Sequence, residues 1–190
     1  MQLWLGKQPE EPWRGAWALD WHTVDHEGPG YRRSELGELL YALKYDGNRS
    51  AAAPIAERLA AFVTSLGVFP SLTAIIPVPP SDRTRAEQPV DILARELEAL
   101  TGRPADREWL VRVRAGAPLK DIESPEEREE ALRGAFAVTD LDRYRGKRLL
   151  LLDDIFRSGA TLRECTRTML KDDACSAVYA VTITRTRVRR

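Results

Sequence analysis

The chain has 190 residues, of which 43% are hydrophobic and 31% charged, and its 29 basic residues balance its 29 acidic ones. That length suits one domain with an elaboration, and the charge balance removes any global electrostatic argument for a nucleic-acid partner. No stretch approaches the roughly 18 uninterrupted apolar residues of a membrane span, the Met1-Gln2-Leu3-Trp4 start lacks the basic flank of a secretory signal, and the two cysteines, Cys165 and Cys175, cannot by themselves build a four-thiolate zinc site. A reducing, cytoplasmic setting is the expectation.

Residues 1–33 read as an irregular, Trp-, Pro- and Gly-rich segment, a flap or hood ahead of an α/β domain over 34–190. Trp13, Trp17 and Trp21 recur every fourth residue, a spacing that would stack them on one helix face, either to dock on the core or to offer a platform for a base. His22 and His26 share that spacing, but a Gly-Pro-Gly break follows directly and no cysteine is near, which argues against a metal there.

Ser34 caps a helix with Leu36, Leu39, Leu40 and Leu43 on one face, ending at the turn Lys44-Tyr45-Asp46-Gly47. A second helix aligns Ile55, Leu59, Phe62, Val63 and Leu66. Residues 73–78 form a short buried strand, and Pro77, Pro79 and Pro80 force an irregular loop at its end. A helix follows from Val90 to Leu100, closed by Thr101-Gly102, then a strand over 108–113 and a loop over 116–123. Ser124-Pro125-Glu126-Glu127 is a capping box with proline at the first helical position, and 134–138 is another strand.

The most informative stretch comes next. Four leucines, Leu149 to Leu152, suit a strand buried on both faces; Asp153 and Asp154 then stand exposed at its end, followed by Arg157-Ser158-Gly159-Ala160-Thr161 and a helix opening on the capping pattern Thr161-x-x-Glu164. A helix N-terminus offers unpaired N–H groups and a favourable dipole to a phosphate, Ser158 and Thr161 add hydroxyl donors, and Gly159 allows close approach. The two carboxylates can accept hydrogen bonds from the vicinal hydroxyls of a sugar. One segment can therefore hold a ribose 5-phosphate. A last strand runs over 178–184 before a basic ending, Arg185 to Arg190, which reads as a solvated tail or a phosphate-contacting arm. Strands alternating with helices argue a parallel α/β sheet, with ligands bound beyond the carboxyl ends of its strands.

The stretch from Leu149 to Thr161 resembles the phosphoribosyl-pyrophosphate (PRPP) signature of the type I phosphoribosyltransferases: an apolar strand, two acids, three residues, Ser/Thr-Gly-x-Thr. Shorter elements are similar to those of the ComF-type competence proteins, a phosphoribosyltransferase-like family. These are Lys44-Tyr45-Asp46-Gly47, Ile76-Pro77-Val78-Pro79, the run from Arg85 to Ala94, and the run from Arg128 to Phe136. This chain departs from that family in lacking its cysteine-rich zinc segment and in carrying Ala86, Glu87, Gln88 and Ala131 where other residues are usual.

The resemblance implies PRPP as ligand and Mg²⁺ as cofactor. Asp153 and Asp154 would hold the ribose hydroxyls, directly or through the metal's hydration shell. Arg157, Ser158, Gly159, Ala160 and Thr161 would cradle the 5-phosphate. Lys44, Val78, Pro79, Pro80 and Arg83 would meet the pyrophosphate. Lys120 and Arg128 either close over the leaving group or are ordinary surface charge among Glu123, Glu126, Glu127 and Glu129. Three readings follow: transfer of the phosphoribosyl group to a nitrogenous acceptor, non-catalytic PRPP or nucleotide binding within DNA-uptake machinery, or direct DNA contact by the basic tail.

Overall fold

The computed structural model describes residues 3–6, 11–25, 32–81, 87–114 and 124–186. Its centre is a five-stranded sheet in the order β1-β2-β9-β8-β5, formed by β1 (Leu3–Gly6), β2 (Gly15–Trp21), β5 (Leu72–Pro77), β8 (Arg148–Phe156) and β9 (Ala177–Arg185). All neighbouring pairs are parallel except β1–β2. Two short ribbons stand outside it, β3 (Thr23–Asp25) with β4 (Arg32–Arg33), and β6 (Leu110–Arg112) with β7 (Phe136–Val138).

Side chains alternate along a strand, so the leucine run of β8 feeds two cores. Leu149 and Leu151 pack with Trp109, Leu132 and Phe136 and with Leu162, Cys165 and Met169 of α5 (Ala160–Leu170). Leu150 and Leu152 face α1 (Glu35–Tyr45), α2 (Ala52–Ser65) and α3 (Pro89–Thr101). The helix ends follow the sequence signals. Ser34 accepts a hydrogen bond from the Gly37 N–H, Ser124 does the same for Glu127 ahead of α4 (Pro125–Leu132), and Gly102 closes α3 in the left-handed conformation.

Three expectations are corrected. Residues 15–21 are not irregular: β2 lies inside the main sheet, hydrogen-bonded between β1 and β9. The tryptophans therefore do not share a helix face. Trp13 is fully buried in the α5-side core, whereas Trp17 packs across the sheet with Phe62 of α2 and stacks on Tyr179. The strand β8 does not stop at Leu152, because β9 continues to supply partners as far as Phe156. Finally, Thr161 and Glu164 form no capping box. Helix α5 begins at Ala160 behind Gly159 (φ 80°), and Glu164 Oε1 instead accepts from the Gly134 N–H at 2.7 Å.

The expected free tail also begins later than Arg185. That guanidinium lies over Trp21 and Phe156, at 5.3 and 5.5 Å from the ring centroids. Arg187 to Arg190 lie outside the described residues, as does His26. Among the described residues, no helix is long and apolar enough to cross a membrane.

Candidate functional site

The longer β8 creates the site. On one side its ladder with β9 reaches Phe156; on the other, β5 ends at Pro77 opposite Leu152, and the Val78 N–H makes a last bond to the Leu152 carbonyl at 2.8 Å. Beyond that point residues 153–156 border a cleft of about 360 Å³ instead of a neighbouring strand.

One wall of the cleft is the loop and first turn of α5, with Arg157, Ser158, Gly159, Ala160 and Thr161. Val78, Pro79 and Pro80 of the loop after β5, and Lys44 and Arg128, also line it. Asp153 and Asp154 line it as well. Every sequence-designated site residue that the structure describes thus meets in one cleft. Arg83 and Lys120 lie outside the described residues.

The two carboxylates are not side by side. Alternation along β8 sends them to opposite faces of the sheet. Asp154 turns toward α1, where its Oδ2 accepts from Lys44 Nζ at 2.6 Å, with both side chains less than a fifth exposed. Asp153 turns toward α5 and the β6–β7 ribbon, and its Oδ1 accepts from the Asp154 N–H at 2.8 Å. Neither residue is exposed, which corrects the sequence expectation. Burial raises the Asp153 carboxyl to about 7, the charge of Asp154 pushes the same way, and Lys44 and Arg112 pull against them.

Arg112 is a residue the sequence reading missed. It is buried in β6, its guanidinium lies 4.5 Å from the Phe136 ring centroid, and it lines the cleft. A signal was there: Leu110 and Arg112 sit two apart in a strand, so a charge shares the face of a buried leucine. Tyr45 and Gln88 were likewise missed and also line the cleft.

A side cavity of about 170 Å³ shares Lys44, Tyr45, Ile155 and Arg157 with the cleft and is otherwise lined by His22, Arg33, Leu40 and Tyr41. His22 Nδ1 lies 3.1 Å from Thr184 Oγ1, and burial followed by the charges of Arg33, Arg157 and Lys44 lowers its pKa. The His22 ring should therefore titrate below 6.5 by NMR. Because its folded pKa lies below the unfolded one, its contribution to stability is present above 6.5 and lost as pH falls from there through the lower folded pKa. A midpoint above 6.5 would contradict this account of its surroundings.

The fold is similar to that of glutamine PRPP amidotransferase from B. subtilis, solved in complex with ADP and GMP, with a TM-score of 0.50 and 17% identity over 84% of this chain and 34% of that one. The chain thus spans about a third of that enzyme's length. Adenine phosphoribosyltransferase from Trypanosoma brucei, in complex with AMP, pyrophosphate and ribose-5-phosphate, gives 0.47 at 11% identity over 90% and 83% of the two chains. The adenine phosphoribosyltransferase of Leishmania donovani gives 0.41 at 10% identity over 87% and 75%. No family model and no curated protein sequence matches the chain. The mostly parallel sheet flanked by helices is the type I phosphoribosyltransferase fold.

Proposed function

We propose that this protein is a phosphoribosyltransferase that binds PRPP with Mg²⁺ and transfers the phosphoribosyl group to a nitrogenous acceptor. The observation that carries the reading is the convergence of the sequence signature, the proline loop, Lys44 and Arg128 on one cleft at the carboxyl ends of β5 and β8.

In this reading the 5-phosphate lies against the first turn of α5, where N–H groups, the Ser158 and Thr161 hydroxyls and Arg157 offer donors and positive charge. Asp153 and Asp154 accept hydrogen bonds from the ribose hydroxyls. Lys44, Arg128 and the backbone of Val78, Pro79 and Pro80 border the pyrophosphate, joined by Arg83 and Lys120 as sequence-based candidates. The donor set fits magnesium, which takes one or two carboxylates and completes its shell with water and phosphate oxygens; Asp153 and Asp154 would hold it through that water. When bound, the metal would supply charge neutralisation for the departing pyrophosphate.

The acceptor docks in the side cavity, with the β3–β4 ribbon as its hood. Its nitrogen lone pair forms the bond to C1 as the C1–O bond breaks, and that electron pair leaves with pyrophosphate. The chain's contribution is alignment of the two reactants and neutralisation of leaving-group charge.

The test is pyrophosphate release from PRPP with a panel of nucleobases and simple amines. Mg²⁺-dependent release with one of them, lost in Asp153→Asn, is the expected result. PRPP binding without release by any acceptor would favour the ComF-type alternative, a PRPP- or nucleotide-responsive component of DNA uptake. Neither binding nor release would sink both.

A further inference from the structure

Arg163 does not line the cleft, yet its guanidinium uses every edge. Nη2 donates to the Ser158 carbonyl at 2.6 Å, Nε to Glu129 Oε1 of α4 at 2.7 Å, and Nη1 to Glu11 Oε1 at 3.1 Å. Its side chain is only 16% exposed, so these bonds form in a screened setting where geometry is held firmly. Gly159 makes the room: a Cβ built there would stand 2.9 Å from Arg163 Nη1 and equally close to the Phe156 ring.

The consequence lies in the peptide joining Ser158 to Gly159. A trans peptide is planar, with its C=O and N–H pointing in opposite directions. An arginine that grips the Ser158 carbonyl from one side therefore turns the Gly159 N–H to the other, where Ser158, Gly159 and Thr161 border the cleft. We propose that Arg163 is a positioning residue for phosphate binding, holding the Gly159 amide turned into the cleft, and that Glu129 and Glu11 hold Arg163 in place. The inference rests on the reading of this loop as a phosphate cradle. It also ties that cradle to α4, which carries Arg128 on the adjacent residue. Glu129 is shared with Arg167 at 3.4 Å, but Arg167 is half exposed and makes no contact with the loop among the described residues.

The test uses two probes, ribose 5-phosphate for the cradle and inorganic pyrophosphate with Mg²⁺ for the opposite end, titrated into the full chain by calorimetry. Arg163→Lys keeps the charge but lacks the planar guanidinium fork that reaches the two carboxylates and the Ser158 carbonyl from separate nitrogens. It should weaken ribose 5-phosphate at least tenfold while pyrophosphate stays within twofold. The Gly159 amide resonance, shifted downfield by ribose 5-phosphate in the parent protein, should then no longer move. Arg167→Ala should leave both affinities within twofold. Glu129→Gln, the milder change, should weaken ribose 5-phosphate alone by about threefold, and it serves if Arg163→Lys does not fold. Ribose 5-phosphate binding within twofold of the parent in Arg163→Lys, or equal losses for both probes in Glu129→Gln, would overturn the proposal. A parent protein that binds neither probe would instead contradict the phosphoribosyltransferase reading beneath it.

Discussion

At pH 8, Asp153→Asn should raise the melting temperature of the ligand-free protein and Asp154→Asn should lower it, although the two residues are adjacent. The signs differ because β8 sends the side chains to different surroundings. Asp153 is ionised against the opposition of burial and of Asp154, which together lift its carboxyl to about 7. Its folded pKa lies above the unfolded value of 3.8, so the associated stability is fully present below pH 3.8 and lost as pH rises through about 7. Above that point asparagine removes the opposed charge, with a gain of about 2 kcal/mol after allowance for solvent screening. Asp154 is the reverse case. It faces Lys44 at 2.6 Å with little exposure, and removing its charge takes a carboxylate from a largely buried ammonium, at a cost of about 2 kcal/mol. Each change corresponds to a shift of about 5 °C in a chain of this size. Thermal melts at pH 5 and pH 8 decide the matter, since the gain from Asp153→Asn should shrink at the lower pH. Equal losses in both variants at pH 8 would show that the desolvation of Asp153 has been misjudged. In binding, Asp153→Asn should abolish Mg²⁺-dependent uptake of PRPP.

Gly159→Ala should lower stability by about 2 kcal/mol and weaken ribose 5-phosphate at least tenfold. Two independent costs act there. The backbone sits at φ 80°, which an L side chain adopts with strain, and the added methyl meets the Phe156 ring and Arg163 at 2.9 Å. Relief of that contact displaces the loop proposed to hold the phosphate. Gly146→Ala is the matched control: φ is 71°, nothing lies within 4 Å of the new Cβ, and the residue does not line the cleft. It should lose about 1 kcal/mol from the backbone alone and leave binding unchanged. Melting curves and calorimetry on the two variants separate backbone strain from disruption of the cradle. Matching binding in both would contradict a role for the Gly159 amide.

What was legible in the sequence was local. Periodic apolar residues mark α1 and α2, the Ser34 side chain caps α1, a proline and a left-handed glycine bracket α3, and the apolar run Leu149–Leu152 marks a strand buried on both faces. The small residues before Thr161 predict a loop entering a helix, and that loop is there, confined to Arg157–Gly159 because β8 runs on to Phe156. What was not legible depends on partners far away in the chain. A tryptophan every fourth residue fits a helix face and a strand face equally, and only pairing with β1 and β9 selects the strand at residues 15–21. Two aspartates break the apolar run of β8, so its continuation to Phe156 shows only in the ladder with β9. Thr161 and Glu164 have the spacing of a capping box, but Glu164 is spent on the Gly134 N–H, thirty residues away. Arg163 reaches the loop through tertiary contacts that no local pattern announces.

The central claim is that the cleft at the carboxyl ends of β5 and β8 binds PRPP with magnesium. Calorimetric titration with PRPP, with and without Mg²⁺ and beside ribose 5-phosphate, tests it most directly. The account predicts binding that requires Mg²⁺, is tighter than that of ribose 5-phosphate, and disappears in Asp153→Asn. Absence of binding, or binding indifferent to both Mg²⁺ and Asp153→Asn, would contradict it.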